Sequence, residues 1–246
     1  MFVIAPGWEQ TMREADLDSF ERIWELDEDW IEAPNERRQG WSGVVRRNID
    51  SGDGPVPLFI KRQQGQNRRT LTHPFRSRPT YFFEYRFLHR RGEQFPQLVG
   101  YACYGERHRD GADQAVLATI GLQDYLDLNT LAAETPRSEL QALLAELYRA
   151  VLPLHLARLQ HGALYAAHIF AHNESRGIKL IDLERVRFRA RKRVAARADL
   201  KQFINRTDWL DEDLLATLIA PWEKHFPGIR AQLPPTRRNQ NESGHA

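Results

Sequence analysis

The chain has 246 residues, 41% of them apolar and 28% charged, with a formal net charge of +2. That composition excludes a largely disordered chain, and the length suits one domain or two lobes whose core needs no disulfide or metal staple. The single cysteine, Cys103, excludes an internal disulfide and a cysteine-rich zinc site and fits a reducing compartment.

The spacing of apolar residues predicts a first helix over Asp16–Leu26, with Asp16 as N-cap and Leu17, Phe20 and Trp24 on one side. Gly40–Asn48 and Leu58–Gln63 read as strands around the turn signal Ser51-Gly-Asp-Gly-Pro55. Thr80–Arg91 reads as a helix with Gly92 as its stop. Phe95–Tyr104 and Gln114–Ile120 are expected strands. The character then changes. Ser138–His155 carries a long apolar helical stripe, with a capping box at Ser138 and Gln141 and a kink or end at Pro153. Ile178–Leu183 reads as a strand, Asp199–Ile204 and Asp211–Phe226 as helices, and Pro234–Ala246 as a polar, disordered tail. Strands plus one helix followed mainly by helices give an α+β architecture of two unlike lobes.

No run of about 20 apolar residues is present to span a bilayer. The opening residues lack the basic and apolar regions of a secretory signal, so the expected location is the cytoplasm. Basic residues cluster despite the small net charge: Arg185, Arg187, Arg189, Arg191, Lys192, Arg193 and Arg197 form a stripe that attracts anions. It reads equally as a solvated face. Without a nucleic-acid-binding motif, and with near-neutral total charge, nucleic acid is an unlikely partner.

Four stretches carry chemistry. Arg38-Gln-Gly40-Trp-Ser-Gly43-Val-Val45 keeps the last two glycines and the valine of a phosphate-covering hairpin, G-x-G-x-x-G-x-V, in which bare backbone approaches phosphate. Leu58-Phe-Ile-Lys61 ends an apolar strand in a lysine suited to phosphates, and Glu84 on the next helix could brace it. His161-Gly-Ala163 and His168 fall in the layout H-R-D-x-x-x-x-N, with Ala163 at the aspartate and His168 at the asparagine. Asp182 follows Ala163 by nineteen residues and is a hard oxygen ligand suited to Mg²⁺.

In this register the chain resembles the lipopolysaccharide-core sugar kinases, the Kdo/heptose (WaaP-like) family, and its InaA-like branch. The resemblance rests on His155, Ala157, His161, Tyr165, His168 and Ile169, on Ile181-Asp182-Leu183-Glu184-Arg185, on Glu84 with Gly92, on Ala102-Cys-Tyr-Gly105-Glu106, and on Asp199-Leu200. It spans about Gly40 to Phe203. It implies a bilobal protein-kinase-like fold with a small β-rich N-lobe, 1–118, a mostly helical C-lobe, 119–233, and a tail, 234–246. It implies ATP and Mg²⁺, with Gly40, Gly43, Val45, Lys61 and Glu84 at the nucleotide, and Asp182 and His168 at the metal. The acceptor would be a core sugar hydroxyl of an anionic glycolipid, met by Arg185–Arg197 at the inner face of the cytoplasmic membrane. The family's aspartate that takes the acceptor proton is Ala163 here, and its arginine is Gly162. Losing a general base costs a factor of about 10²–10⁴. His161, beside Asp182 as a catalytic candidate, and His168 are the nearest substitutes, since imidazole accepts protons near neutral pH. The alternative is a pseudokinase-like nucleotide-binding or regulatory module.

Overall fold

The computed structural model describes all residues except 28–29, 38–39, 53, 71–72 and 237–246, and describes the backbone only at 37, 70 and 73–76. The chain divides into two units, Met1–Gln123 and Asp124–Ala246. The boundary expected after residue 118 falls inside a strand.

The first unit runs β1 (Phe2–Ile4), α1 (Glu9–Glu14), α2 (Phe20–Trp24), β2 (Trp30–Arg37), β3 (Gly40–Asp50), β4 (Pro55–Gln64), β5 (Asn67–Thr70), β6 (His73–Pro79), α3 (Thr80–Arg91), β7 (Tyr101–Arg109) and β8 (Ala112–Ile120). Six strands form an antiparallel sheet in the order β1-β7-β8-β4-β3-β2, and β5 and β6 form a separate hairpin. Period-two alternation sorts the two faces. Val45, Ile49, Leu58, Ile60, Cys103, Val116 and Ala118 share one core cluster with Met12, Leu17, Phe20 and Ile23 of the α1–α2 segment. The other face meets α3, where the Tyr85 ring stacks on Tyr104 at 4.3 Å and 4°. Both faces of β8 are therefore covered, and Ala115–Thr119 is buried without a break.

Two expected elements differ here. The helix expected over Asp16–Leu26 is α2 alone, capped by Ser19, whose Oγ accepts from Arg22 N. Asp16 sits at φ +58° and closes α1: its own N–H donates to Arg13 O, and Leu17 N–H to Met12 O. A left-handed residue ends a helix and cannot open one. The strand expected over Phe95–Tyr104 begins only at Tyr101, because Phe95, Leu98 and Val99 are buried in a loop in which Leu98 makes only an isolated bridge. α3 spans its expected residues, although Gly92 has helical φ and continues into a 3-10 turn.

The second unit runs β9 (Tyr125–Asp127), α4 (Leu128–Glu134), α5 (Arg137–Leu156), β10 (Leu159–Gln160), β11 (Ile169–His172), β12 (Ile178–Leu180), β13 (Arg187–Phe188), α6 (Lys192–Arg206) and α7 (Glu212–His225). Its strands form two small antiparallel sheets, β12-β11-β9 and β10-β13. α5 buries the expected stripe Leu140, Leu143, Leu144, Leu147, Val151 and Leu154. It starts after Pro136, so Ser138 lies inside the first turn and no capping box forms. Pro153 does not end the helix, which runs on to Leu156. α6 starts seven residues before its expected start at Asp199, so three of the seven basic residues of the stripe lie in helix. Asp211 caps α7 by accepting from Leu214 N at 2.9 Å. Of the tail expected to be disordered, 237–246 lies outside the described residues. No helix among the described residues is long and apolar enough to cross a membrane.

Candidate active site

In the first unit, alternation along β4 turns Lys61 toward α3. On α3, Tyr81, Glu84, Tyr85 and Leu88 form the buried side, at the i, i+3, i+4, i+7 spacing of one helical face. Glu84 is thus a carboxylate set in an apolar stripe, fully buried, and such a group must be paired. Lys61 Nζ donates to both its oxygens, at 3.0 and 2.8 Å. The Tyr81 ring lies 5.8 Å from the same ammonium. Gln63, also buried, lies two residues along on the same face. Its Oε1 accepts from Thr80 Oγ1 at 2.7 Å and from Tyr81 N at 3.1 Å, while its Nε2 donates to Gln66 O at 2.6 Å. Pro79 at the N-cap offers α3 no side-chain acceptor, and Gln63 supplies one from the strand.

The glycine-rich stretch lies on β2–β3, with Arg38 and Gln39 outside the described residues. A Cβ on Gly40 would stand 2.2 Å from Gln64 O, and one on Gly43 2.6 Å from the Trp30 ring. Both glycines therefore have a packing reason within the sheet. Val45 pairs with Ile60 and points into the α1–α2 core, away from Lys61. Val44 stands directly opposite Lys61 and shares its face. The sequence pattern chose the wrong member of this pair for the lysine's face.

In the second unit, α6 organises the loop after α5. Asp199, fully buried, takes three donors: His155 Nε2 at 2.9 Å, His161 N at 2.7 Å and Gly162 N at 2.9 Å. One turn on, Gln202 Nε2 donates to Gly162 O and to Tyr165 Oη, both at 3.0 Å, and its Oε1 accepts from Leu164 N at 3.3 Å. Gly162 has φ +80°, and a Cβ there would lie 2.4 Å from Arg185 O. Glycine answers both constraints.

Asp182 stands two residues past β12 at φ +60°, a strained setting that clusters at functional sites. Its Oδ2 lies 3.5 Å from His168 Nδ1. His168 Nδ1 is also 2.9 Å from Ala163 O. A carbonyl can only accept, so Nδ1 carries the proton and, in the neutral ring, Nε2 keeps its lone pair. Ala163 is buried and presents only a methyl group.

His161 differs from the expectation of a base within reach of an acceptor. Its ring is fully buried, its Nδ1 accepts from Ala163 N at 3.3 Å, and its Nε2 has no partner among the described residues. Burial pushes its pKa below the usual imidazole value, and the Asp199 and Asp182 charges oppose that only in part.

Among the described residues no group of three or more His, Cys, Asp or Glu side chains is disposed to hold a metal ion. The Asp182 carboxylate, about a quarter exposed and with no shorter side-chain partner than His168, fits Mg²⁺, which is held by one or two protein ligands and completes its shell with water and phosphate oxygens. Asp199 and Gln202 were missed as site residues. The signal was present: Asp199 is the only acid between Arg185 and Arg206, on a helix face with Ala195, Ala196 and Phe203.

Residues 21–220 match the model of the Lipopolysaccharide kinase (Kdo/WaaP) family. The chain is 30% identical over 213 residues to Protein InaA of Escherichia coli (strain K12), covering 79% of this chain and 94% of that protein. Its structure is similar to that of WaaP in complex with acyl carrier protein, with a TM-score of 0.60 at 18% identity, covering 94% of this chain and 95% of the other. That likeness shows the fold, which is the kinase-like α+β arrangement expected from the sequence. With its matched residues reaching from α2 into α7, the chain belongs to the lipopolysaccharide kinase (Kdo/WaaP) family, and with it to the kinases.

Proposed function

We propose that the chain is an ATP- and Mg²⁺-dependent phosphotransferase that transfers the γ-phosphoryl group to a hydroxyl of a lipopolysaccharide-core sugar, heptose or Kdo. It would work at the cytoplasmic face of the membrane. The observation that carries this reading is the Lys61–Glu84 pair. A buried carboxylate with two bonds to one ammonium fixes that lysine in place, which is what binding of the α- and β-phosphates requires. In the proposal Lys61 holds phosphate, Glu84 braces Lys61, and Gly40, Gly43 and the Val44–Val45 strand cover the nucleotide. Asp182, with His168 beside it, would hold Mg²⁺, which neutralises charge on the phosphates when bound. His161 acts as a positioning residue of the loop, and Asp199 holds that loop by its backbone.

Ala163 supports a second reading, a nucleotide-binding module with little or no transfer. No carboxylate stands at 163 to take the acceptor proton, and transfer without one is expected to be slower by about 10²–10⁴.

A thermal-shift titration with ATP, with and without Mg²⁺, tests both. Ligand at 100 times its dissociation constant adds about 2.7 kcal/mol, which for a chain of this size is roughly 5–10 °C. The expected result is a Mg²⁺-dependent rise whose Mg²⁺-dependent part is lost in Asp182→Ala. A flat response at millimolar ATP overturns both readings. Ala163→Asp alone then separates them: phosphate transfer that appears only in that variant identifies the wild type as the nucleotide-binding module.

A further inference from the structure

We propose that the Arg185–Arg197 segment is a docking surface for an anionic lipid leaflet, with Phe188 as its apolar anchor. From Arg185 to Ala198 the chain has seven cations and no acid. Arg187, Arg191, Lys192 and Arg197 are exposed, and their side chains make no hydrogen bond or ion pair with any described residue. Among them stands Phe188, 66% exposed, the one large hydrophobic so exposed in the described part of the second unit.

The segment is held rigidly. β13 pairs with β10 in a fixed register, Phe188 opposite Leu159 and Arg187 opposite Gln160. The end of β13 is tied by Arg189 N donating to Arg158 O at 2.8 Å and Arg189 Nε to Gln160 Oε1 at 2.7 Å. Leu159 is buried, so the pairing fixes the strand while the Phe188 ring stays outside the core. A fixed exposed aromatic keeps its full apolar area available at little entropic cost on binding.

Charge complementarity and the aromatic together select the occupant. Unpaired cations would serve any polyanion, but a phosphate gains little from a phenyl ring. At a membrane the same ring enters the boundary between headgroups and acyl chains while the cations meet anionic headgroups. Stable attachment needs two such signals, and this segment offers both. Phe188 follows Asp182 by six residues, so docking would hold the Asp182 end of the site near the leaflet. The inference extends the proposed function, and rests on it only for the use the cell makes of docking.

The test is flotation of the full-length chain with vesicles of phosphatidylcholine alone and of phosphatidylcholine with phosphatidylglycerol, at low and high salt. Binding is expected only to the anionic vesicles and should fall with salt. Each cation contributes about five-fold, so Arg187→Gln with Arg191→Gln should weaken binding by about 25-fold. Phe188→Ala should weaken it with unchanged salt dependence, and Phe188→Trp should restore it. Absence of binding to anionic vesicles overturns the proposal. So does Phe188→Ala binding like wild type while the arginine variant does not, which would leave a purely electrostatic surface with no apolar anchor, open to any polyanion. The ATP thermal shift of each variant reports folding and the nucleotide site separately. A retained shift without vesicle binding removes only the docking surface, and vesicle binding without a shift removes both nucleotide readings and leaves the docking surface in place.

Discussion

Glu84 is a charge placed where a helix puts its apolar side, and its neighbour on the strand is what makes that tolerable. Removing Lys61 strands the carboxylate. Lys61→Ala is expected to destabilise by about 2–4 kcal/mol, toward the low end for a buried pair because the lysine keeps 17% exposure. Lys61→Met with Glu84→Leu should recover most of that stability, since an apolar pair of similar size costs little. Neither variant should show an ATP shift. Urea denaturation with nucleotide titration checks both, and a double variant that binds ATP normally would remove Lys61 from the site. The lysine and its partner were legible in the sequence because each has a chemical signature at a set spacing. Val45 was not, since the face a residue takes depends on strand register, which the Ser51–Gly54 turn sets. A slip of one residue exchanges Val44 and Val45.

At the level of elements, the position of α3 depends on β4 in two ways, through Lys61 and through Gln63. Gln63 caps the start of the helix on which Glu84 lies one turn further on. Gln63→Leu is expected to lower stability by about 1–2 kcal/mol, the cost of a lost cap and its buried donors. It should also raise the ATP concentration needed for half the thermal shift while leaving the maximal shift in place. A variant that loses stability but keeps the wild-type ATP midpoint would make Gln63 a structural cap alone. Long periodic elements, α3, α5 and α7, were readable because burial repeats along them. Their ends, and the short elements, were misread where one residue decides: Asp16 closes a helix, Pro136 displaces the start of α5, and Gly92 continues a turn. A side chain that caps a helix from another strand leaves no local pattern at all.

Across the whole molecule, the two units answer pH from opposite sides. In the first, burial pushes Cys103 and Tyr101 up to about 12, and raises Tyr104 and Tyr85 as well. The folded state keeps these protons after the unfolded chain has lost them. Stability therefore falls as pH rises above the unfolded thiol value of 9.0, and further through the unfolded tyrosine value of 10.0. In the second unit, His161 is held neutral below its ordinary 6.5. There the unfolded chain takes up the proton first, so stability falls as pH drops below 6.5 and stops falling once the folded ring also protonates. Urea midpoints from about pH 5 to about pH 10 should show both limbs. His161→Asn should flatten the acid limb, and Cys103→Ala should delay the alkaline one. An acid limb unchanged in His161→Asn would place its cause elsewhere. The order of elements, strands and then helices, made the two-part plan legible. The loop's attachment to Asp199 was not, because it joins residues 37 and 38 positions apart through backbone N–H groups that any sequence carries.

Gly162 makes substitutions in this loop unequal. A chain that once carried the family's arginine and aspartate here could regain the aspartate in a single step at Ala163. It could not regain the arginine so simply, because a side chain at 162 now collides with the main chain of Arg185 in a left-handed setting. The backbone around Arg185 would have to move first. Position 163 already carries a Cβ, whereas any Cβ at 162 must displace the Arg185 carbonyl.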